Sequence, residues 1–266
     1  MIPKKIHYCW FGKGPKPDKF NQCLASWKKY MPECEIIEWN EENTDLKFCK
    51  FLEDAYNERA WAFVSDVVRL KVLYENGGIY MDTDVELKDS LEKWTCYDSF
   101  FFFQNHYQIN TGMGFGSVKG NPLLKYILDI YNDTVFDNNK LLNISSPNVT
   151  TSAIKSFIPN FCEYGQTQCI DNQLFLNGEE YWERAVHYGD FSWKSKEDEK
   201  ILMFAKKKHG SWKIKKLFRN PRIFQYLDSH HLHIVSKIYM FIVYDFIDYG
   251  LIYWIVKVWR KIFHIK

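Results

Sequence analysis

The first half of the chain alternates strand-like and helix-like segments, and this alternation restricts the possible folds more than any other feature. Short apolar, β-prone runs predict strands at 5–11, 35–39, 79–81 and 99–103. Apolar side chains at helical spacing predict a helix at 20–31 and helical structure over 47–75. Asn121 as the cap and Pro122 as the first residue predict another helix over 122–135. Because strands and helices alternate, the sequence predicts an α/β fold in which helices cover a central sheet.

Length and composition agree with one large domain or with one domain that carries an appendage. The chain has 266 residues, of which 46% are hydrophobic and 18% aromatic, so a sizeable core is expected and global disorder is not. Its seven cysteines are odd in number and include no C-x-x-C pair. This pattern argues against a disulfide framework and a zinc ribbon, and it favours a reducing compartment.

Acidic residues follow the predicted strand at 79–81 in the segment NGGIYMDTDVE, with Asp82 and Asp84 at alternate positions. In open α/β sheets, ligands bind beyond the carboxyl ends of the strands. Crowded carboxylates repel one another unless a cation lies between them, so this segment predicts a divalent metal site. A solvated turn is the alternative, because a D-x-D motif is short and common.

The helix before this strand carries Asp66 and Arg69 three residues apart, so both side chains project from one face. A local ion pair would explain these two residues alone. Together, however, SDVVRLKVLYENGGIYMDTDVE (65–86), IPKKIHYCWFG (2–12) and AVHYGDFSW (185–193) resemble the signature of glycosyltransferase family 32 and the related large clostridial glucosylating toxins. Three segments in the family's order make this resemblance specific.

The resemblance implies a GT-A-like nucleotide-diphospho-sugar transferase fold, with a Rossmann-like mixed sheet flanked by helices, in residues 1–200. It also implies a metal-dependent hexosyltransferase in which Mn²⁺ or Mg²⁺ neutralises the leaving diphosphate. By analogy the donor is a UDP-sugar, with UDP-galactose ahead of UDP-glucose and UDP-N-acetylglucosamine. Retention of anomeric configuration is expected, through front-face attack by the acceptor.

The resemblance also assigns roles to single residues. Asp84 is the expected metal ligand, Asp82 is its partner toward the ribose or a metal-bound water, and Asp66 and Arg69 hold the donor sugar and the diphosphate. The other expected contacts are Trp10 with the base, Tyr80 beside the nucleotide, His187 with the metal or a phosphate, and Ser192 and Trp193 with the β-phosphate or glycosidic oxygen.

Several of these assignments have alternatives. Trp10 suits core packing equally well. Asn148, Thr150 and Thr151, in the segment SSPNVTT at an expected helix start, are expected either to donate hydrogen bonds near the sugar or to cap that helix. Asp190 competes with His187 as a metal ligand. A second H-x-S-W sequence, HGSW at 209–212, has a shorter spacing than the family pattern.

Residues 201–266 differ in character from the rest of the chain. Basic residues cluster at 206–222, and an aromatic and apolar tail with basic residues follows at 238–266. These features predict a helical region that lies in the plane of an anionic membrane surface, with packing on the core as the alternative. Asp245 and Asp248 interrupt the tail and argue against a membrane span.

Taken together, these features predict a bacterial glycosyltransferase. It would act on a lipid-linked acceptor in capsular or surface polysaccharide synthesis, peripherally bound to the cytoplasmic face of the cell membrane. A protein acceptor is the alternative within the same enzyme class. A metal-dependent phosphodiesterase is the alternative of another class, but it would need further Asp and His clusters for a second metal. No nucleic-acid partner is expected, and the oligomeric state is left open.

Overall fold

The computed structural model describes residues 1–104, 108–137, 144–162 and 165–188. All of them belong to the first of two units of the chain, Met1–Asp190. The predicted membrane-associating region at 201–266 lies outside the described residues, so the expected boundary near residue 200 stays a prediction. No helix in the described part of the chain combines the length and hydropathy that crossing a bilayer requires.

The described residues form nine strands and six α-helices, with one short 3₁₀ turn at Glu92–Trp94. In chain order the elements are β1 (Lys5–Cys9), α1 (Asp18–Tyr30), β2 (Glu35–Trp39), α2 (Lys50–Asn57), α3 (Trp61–Asn76), β3 (Gly78–Tyr80), β4 (Val85–Leu87), β5 (Ser99–Phe102), β6 (Phe115–Ser117), α4 (Pro122–Asp133), α5 (Ser146–Phe157), β7 (Gln168–Ile170), β8 (Gln173–Leu176), α6 (Gly178–Arg184) and β9 (Ala185–His187).

Seven strands form one mixed sheet in the order β2-β1-β3-β6-β5-β8-β7. Strand β1 pairs in parallel with β2 and β3, and β5 pairs in parallel with β8. Strand β6 runs antiparallel between β3 and β5, and β7 is an antiparallel edge strand. The predicted α/β class, with a mixed sheet flanked by helices, is therefore confirmed. Strands β1, β2, β3, β5 and β8 all end at the same edge of the sheet.

The helix predicted at 47–75 is in fact two helices, α2 and α3. The chain breaks between them at Arg59, whose φ of 56° lies in the left-handed region. The helix predicted at 122–135 begins as expected, because Pro122 occupies its first turn and Asn121 Oδ1 accepts a hydrogen bond from the Leu123 N–H at 2.9 Å.

A run of phenylalanines in β5 supplies core residues to both faces of the sheet. Phe101 stacks between Phe115 and Phe175, with ring centroids 5.5 and 5.6 Å away. Phe100 and Phe102 point to the opposite face, where their own centroids are 5.7 Å apart. All five rings are fully buried. Because β5 lies between β6 and β8, the predicted central position of this apolar strand is confirmed.

Candidate functional site

Asp82 and Asp84 lie in a tight turn directly after β3, at the edge where the parallel strands end. The Asp82 N–H donates to the Gly112 carbonyl at 3.1 Å, and the Val85 N–H donates to the Asp82 carbonyl at 3.1 Å. These two bonds fix the backbone of the turn from both sides. Asp82 and Asp84 therefore belong to an ordered turn at the edge of the sheet where ligands bind in α/β folds. This order argues against an ordinary solvated turn.

A separate two-stranded ribbon carries His187 to the same turn. Strands β4 and β9 pair antiparallel, with Val85 opposite His187. The Tyr188 N–H then donates to the Asp84 carbonyl at 3.1 Å. In this register His187 Nε2 lies 3.3 Å from Asp84 Oδ1. One ligand atom each from Asp82, Asp84 and His187 lies within 4.8 Å of the others, so the structure brings the three expected metal ligands together.

This donor set suits a divalent cation. Carboxylate oxygens are the ligands that Mg²⁺ and Mn²⁺ prefer, and a neutral imidazole nitrogen is compatible with Mn²⁺. Burial disfavours the charged imidazole, but the carboxylates of Asp84 and Asp82 outweigh burial and raise the pKa of His187 above its usual value. A bound cation would take the place of that proton between the same two carboxylates. The residues present therefore fit a metal ion.

Arg69 is almost fully buried and organises two of the acids. Its Nε donates to the Ser65 carbonyl at 3.0 Å, and its Nη2 donates to Ser65 Oγ and Asp82 Oδ1, both at 3.0 Å. Its Nη1 donates to Thr111 Oγ1 at 3.4 Å and pairs with Asp66 Oδ1 at 3.2 Å. All three guanidinium nitrogens thus have partners within the chain. Direct contact with a diphosphate would require one of these bonds to be exchanged.

Asp66 lies against the first turn of α5. Its Oδ2 accepts a hydrogen bond from the Ser146 N–H at 3.2 Å, at the positive end of the helix dipole. Burial raises the pKa of Asp66 to about 6; Arg69 opposes this rise and the Asp82 carboxylate adds to it. Because only 8% of the residue is exposed, Asp66 offers a ligand much less surface than Asp82 does.

Tyr80 and Trp10 were both expected to contact the nucleotide, but Tyr80 is buried and only Trp10 is partly exposed. Tyr80 is 1% exposed, donates to Asp82 Oδ1 at 2.9 Å and lies 4.9 Å beneath the Arg69 guanidinium. Its expected packing beside a nucleotide is not available in this conformation, and it orients Asp82 instead. Trp10 follows β1 at the same edge of the sheet, is half-buried, and donates its indole N–H to the Gly14 carbonyl at 2.8 Å. That position suits both roles expected of Trp10, contact with a nucleotide base and packing on the core.

The helix start expected in SSPNVTT is confirmed, because α5 begins at Ser146. Its N-cap residue is Ser145, so none of Asn148, Thr150 and Thr151 is the cap. Asn148 lies in its first turn, and its Oδ1 accepts from Gln108 Nε2 at 2.6 Å. Thr151 Oγ1 accepts from the Ile109 N–H at 2.9 Å, which is a structural contact. Four sequence features lie outside the described residues: Ser192, Trp193, the alternative ligand Asp190 and the HGSW segment at 209–212.

The loop between β5 and β6 contributes residues that the sequence analysis missed. Gly112 lies so close to the acids that a Cβ atom at its position would be 2.2 Å from Asp82 Oδ2. The neighbouring Asn110 Oδ1 accepts the Gly112 N–H at 2.8 Å. The available signal was the polar and glycine-rich segment INTGMG after an apolar central strand, because glycines there permit close approach of the backbone.

Comparison with known proteins identifies a family over part of the chain. Residues 17–101 match the family model described as a glycosyltransferase sugar-binding region containing a DXD motif. Asp66, Arg69, Asp82 and Asp84 all fall within the match. The resemblance found in the sequence is therefore confirmed for this region.

A curated relative supports the same assignment. The chain is 32% identical over 137 residues to inositol phosphoceramide mannosyltransferase 3 of Schizosaccharomyces pombe. The match takes in 48% of this chain and 36% of the relative, so the chain covers little more than a third of that protein's length.

Two solved structures show more distant similarity. One, titled PaToxG glycosyltransferase, is 20% identical with a TM-score of 0.48, covering 59% of this chain and 70% of the other. A glycosyltransferase involved in glycosylation of the major capsid of PBCV-1 is 11% identical with a TM-score of 0.39, covering 70% and 93%. Similarity of this size does not bear on the activity of this chain.

Proposed function

We propose that the chain is a metal-dependent glycosyltransferase that moves a hexose from a nucleotide diphosphate sugar to an acceptor hydroxyl. The observation that carries the proposal is the convergence of Asp82, Asp84 and His187 within 4.8 Å, inside and beside a region that matches the DXD glycosyltransferase model. Neither the turn sequence nor the fold alone would support it.

The residues at this site have two proposed roles, metal binding and orientation of Asp82. Asp84, His187 and Asp82 would hold Mn²⁺ or Mg²⁺, which supplies charge neutralisation for the departing diphosphate. Asp82 Oδ1 already accepts from Arg69 and Tyr80. Among the described residues no donor is directed at Oδ2, so Oδ2 is the oxygen left for the cation or a ribose hydroxyl. Arg69 and Tyr80 thus orient a residue that contacts the donor.

We further propose that transfer retains the anomeric configuration by front-face attack. A double displacement needs a free carboxylate near the anomeric carbon. Among the described residues at this site, Asp66 and Asp82 pair with Arg69, and Asp84 pairs with His187, so each carboxylate already has a charged partner and a binding role. Trapping a glycosyl group covalently on any of these acids would contradict front-face attack.

The proposed donor is a UDP-hexose, with UDP-galactose favoured by the family analogy. GDP-mannose is the second candidate, because the curated relative is named as a mannosyltransferase. That name also specifies a ceramide-containing acceptor, which supports a lipid-linked acceptor here.

Membrane attachment is proposed from the sequence of residues 201–266, at the inner face of a bacterial cell membrane during surface polysaccharide synthesis. The basic residues at 206–222 would add about 1 kcal/mol each near an anionic surface. The full chain is expected to sediment with phosphatidylglycerol vesicles at low salt, less at high salt, and little with phosphatidylcholine. A full chain that stays in the supernatant with anionic vesicles at low salt would contradict this attachment.

The site itself is tested by thermal unfolding with UDP, GDP or CMP, each with Mn²⁺ or with EDTA. A nucleotide at 100 times its dissociation constant stabilises the fold by about 2.7 kcal/mol. We expect one nucleotide to raise Tm only with Mn²⁺, and Asp84→Asn to abolish the rise. Asp129→Asn changes a half-exposed acid on α4 and is the matched control. If no nucleotide stabilises the folded protein with Mn²⁺, the proposed function is wrong.

A further inference from the structure

The residue that follows the candidate metal ligand His187 is held by side chains from two other elements. The Tyr188 hydroxyl donates to Glu86 Oε2, and Gln22 Nε2 donates to the same oxygen at 3.0 Å. The Lys19 ammonium lies 4.6 Å from the centre of the Tyr188 ring, within the range of a cation–π contact. We call these four side chains, Lys19, Gln22, Glu86 and Tyr188, the outer anchor.

The outer anchor joins three elements at the end of the β4–β9 ribbon where the acids lie. Lys19 and Gln22 are three residues apart on α1, so they share one face of that helix. Glu86 lies in β4 opposite Val186, and Tyr188 is its diagonal neighbour across the ribbon. The side chain of Tyr188 therefore connects the end of β9 to both β4 and α1.

The backbone of Tyr188 connects the outer anchor to the metal site. Its N–H donates to the Asp84 carbonyl at 3.1 Å. One position earlier, His187 Nε2 lies 3.3 Å from Asp84 Oδ1. Because the peptide unit between residues 187 and 188 is planar and rigid, a shift of Tyr188 moves the backbone that carries the imidazole.

The outer anchor is too exposed to contribute much to folding stability. Tyr188 is 39% exposed, and Glu86 and Lys19 are partly exposed. Charged contacts at a protein surface typically contribute about 1 kcal/mol or less. The main consequence of the outer anchor is therefore geometric, because it fixes the path of the chain beside a candidate metal ligand.

We propose that Tyr188 is a positioning residue that, through the outer anchor, holds His187 at the distance from Asp84 that a bound cation requires. This inference rests on the proposed function. Residues that orient a metal ligand without touching the metal contribute about 10–100-fold to metal affinity. The anchor thereby favours cations that accept a nitrogen ligand over cations that bind through oxygen alone.

Two cations separate this role from a general loosening of the site. Co²⁺ binds imidazole nitrogen well, whereas Mg²⁺ is bound mainly by carboxylate oxygens and keeps several waters. A misplaced His187 should therefore weaken Co²⁺ binding and leave Mg²⁺ on Asp82 and Asp84. Damage to the acidic turn itself should weaken the binding of both cations.

The experiment measures Co²⁺ and Mg²⁺ binding to the full chain by calorimetry. Tyr188→Phe keeps the ring beside Lys19 and removes the hydroxyl that donates to Glu86. We expect Co²⁺ affinity to fall about tenfold and Mg²⁺ affinity to change less than about twofold. Tyr126→Phe is the matched control, because it removes the hydroxyl of another partly buried tyrosine, on α4, and should change neither affinity.

Variants of Glu86 test the same hydrogen bond from the other side. Glu86→Gln keeps an oxygen that can accept from the Tyr188 hydroxyl, so Co²⁺ affinity should stay within about twofold of the wild type. Glu86→Leu removes the acceptor and should reproduce the loss seen in Tyr188→Phe. This variant also keeps the test decisive if Tyr188→Phe does not fold.

A double variant shows whether Tyr188 acts through the imidazole. In a His187→Ala background, adding Tyr188→Phe should cause no further loss of Co²⁺ affinity, because the group that Tyr188 positions is already missing. A further loss of about tenfold in that background would mean that Tyr188 supports the site by another route, and the inference would be wrong.

The remaining outcomes separate this inference from the proposed function. Equal losses of Co²⁺ and Mg²⁺ affinity in Tyr188→Phe would overturn the inference. Wild-type Co²⁺ affinity in folded Tyr188→Phe and Glu86→Leu would also overturn it, and the proposed function would stand. If the wild type binds neither cation, the proposed metal site itself fails, and the inference fails with it.

Discussion

His7 is a fully buried histidine in β1 whose ring is held at both nitrogens. Its Nδ1 accepts a hydrogen bond from the Trp39 indole N–H at 3.0 Å, and its Nε2 lies 3.0 Å from the Gly77 carbonyl, to which it donates. Because Nδ1 accepts, the ring must be neutral. Burial lowers the pKa of His7 to about 4, although the Gly77 carbonyl acts in the opposite direction.

This environment predicts a loss of stability in acid. The unfolded chain binds a proton at His7 below about pH 6.5, but the folded chain binds it only below about pH 4. Stability is therefore intact above pH 6.5 and falls by about 3 kcal/mol as the pH drops to 4. Urea unfolding at pH 7 and pH 4.5 should show a smaller loss in His7→Gln than in the wild type.

Comparing the wild type with His7→Gln removes the contribution of other titrating groups to the pH dependence of folding stability. The raised pKa of Asp66 has the opposite effect, because its stability contribution is lost as the pH rises through about 6. That contribution is common to the wild type and the variant. Identical losses in the two proteins would show that His7 is not the group responsible.

Gly112 shows how a missing side chain helps to form the metal site. A Cβ atom at its position would overlap with Asp82 Oδ2 at 2.2 Å, so Gly112→Ala must displace the carboxylate. We expect Mn²⁺ affinity, measured by calorimetry, to fall at least about tenfold, as for other residues that orient metal ligands. Gly14→Ala is the control, because a Cβ atom added there would meet no heavy atom within 4 Å. Unchanged Mn²⁺ binding in folded Gly112→Ala would exclude Asp82 as a ligand.

At the scale of elements, helix α1 holds the ribbon that completes the metal site. The Trp27 indole N–H donates to the Val85 carbonyl at 2.8 Å, and Ser26 Oγ accepts the Leu87 N–H at 2.9 Å. Both contacts are buried and both hold β4 in place. Because β4 pairs with β9, the position of His187 depends on a helix far from it in the sequence.

Ser26→Ala tests this dependence. The change leaves the Leu87 N–H unpaired, and we expect a loss of about 1–3 kcal/mol of folding stability in urea. We also expect weaker Mn²⁺ binding, because the ribbon loses one of its anchors to α1. Ser152→Ala, an exposed change on α5, should alter neither quantity. Full Mn²⁺ affinity in a destabilised Ser26→Ala protein would show that β4 keeps its position without this bond.

At the scale of the whole molecule, the sheet separates two aromatic layers. Phe101 is the centre of one layer, and it contacts Phe115 and Phe175 across three neighbouring strands. Such a ring joins the parallel and antiparallel parts of the sheet, so its removal should affect the unfolding of the entire described unit rather than one loop.

Phe101→Ala is expected to cost about 3–5 kcal/mol, because the cavity cannot close between three strands. Phe101→Leu should cost less, since it keeps most of the volume. Urea unfolding followed by fluorescence and by circular dichroism should shift together. Phe157→Ala, which changes a partly exposed ring, should cost under about 1 kcal/mol. A loss of similar size in Phe101→Ala and Phe157→Ala would contradict the central role of Phe101.

Sequence and structure agree where local spacing carries the information. The alternation of elements, the capping of α4 by Asn121 and the position of the acids after β3 followed from periodicity and turn chemistry over a few residues. The break at Arg59 was missed because an apolar helical stripe continues across it. Tyr80 was misjudged because an aromatic residue before an acid gives no indication of whether its ring is buried.

By itself, the sequence determined that the chain is an α/β protein with carboxylates at the end of a central strand, because strand and helix periods are local properties. The resemblance to a family added His187, which no spacing would have connected to Asp84. Only the tertiary structure decided that all three guanidinium nitrogens of Arg69 have partners in the protein and that Gly112 lies against Asp82. These contacts join residues from separate loops and helices, and their geometry depends on how strands pair rather than on any local pattern.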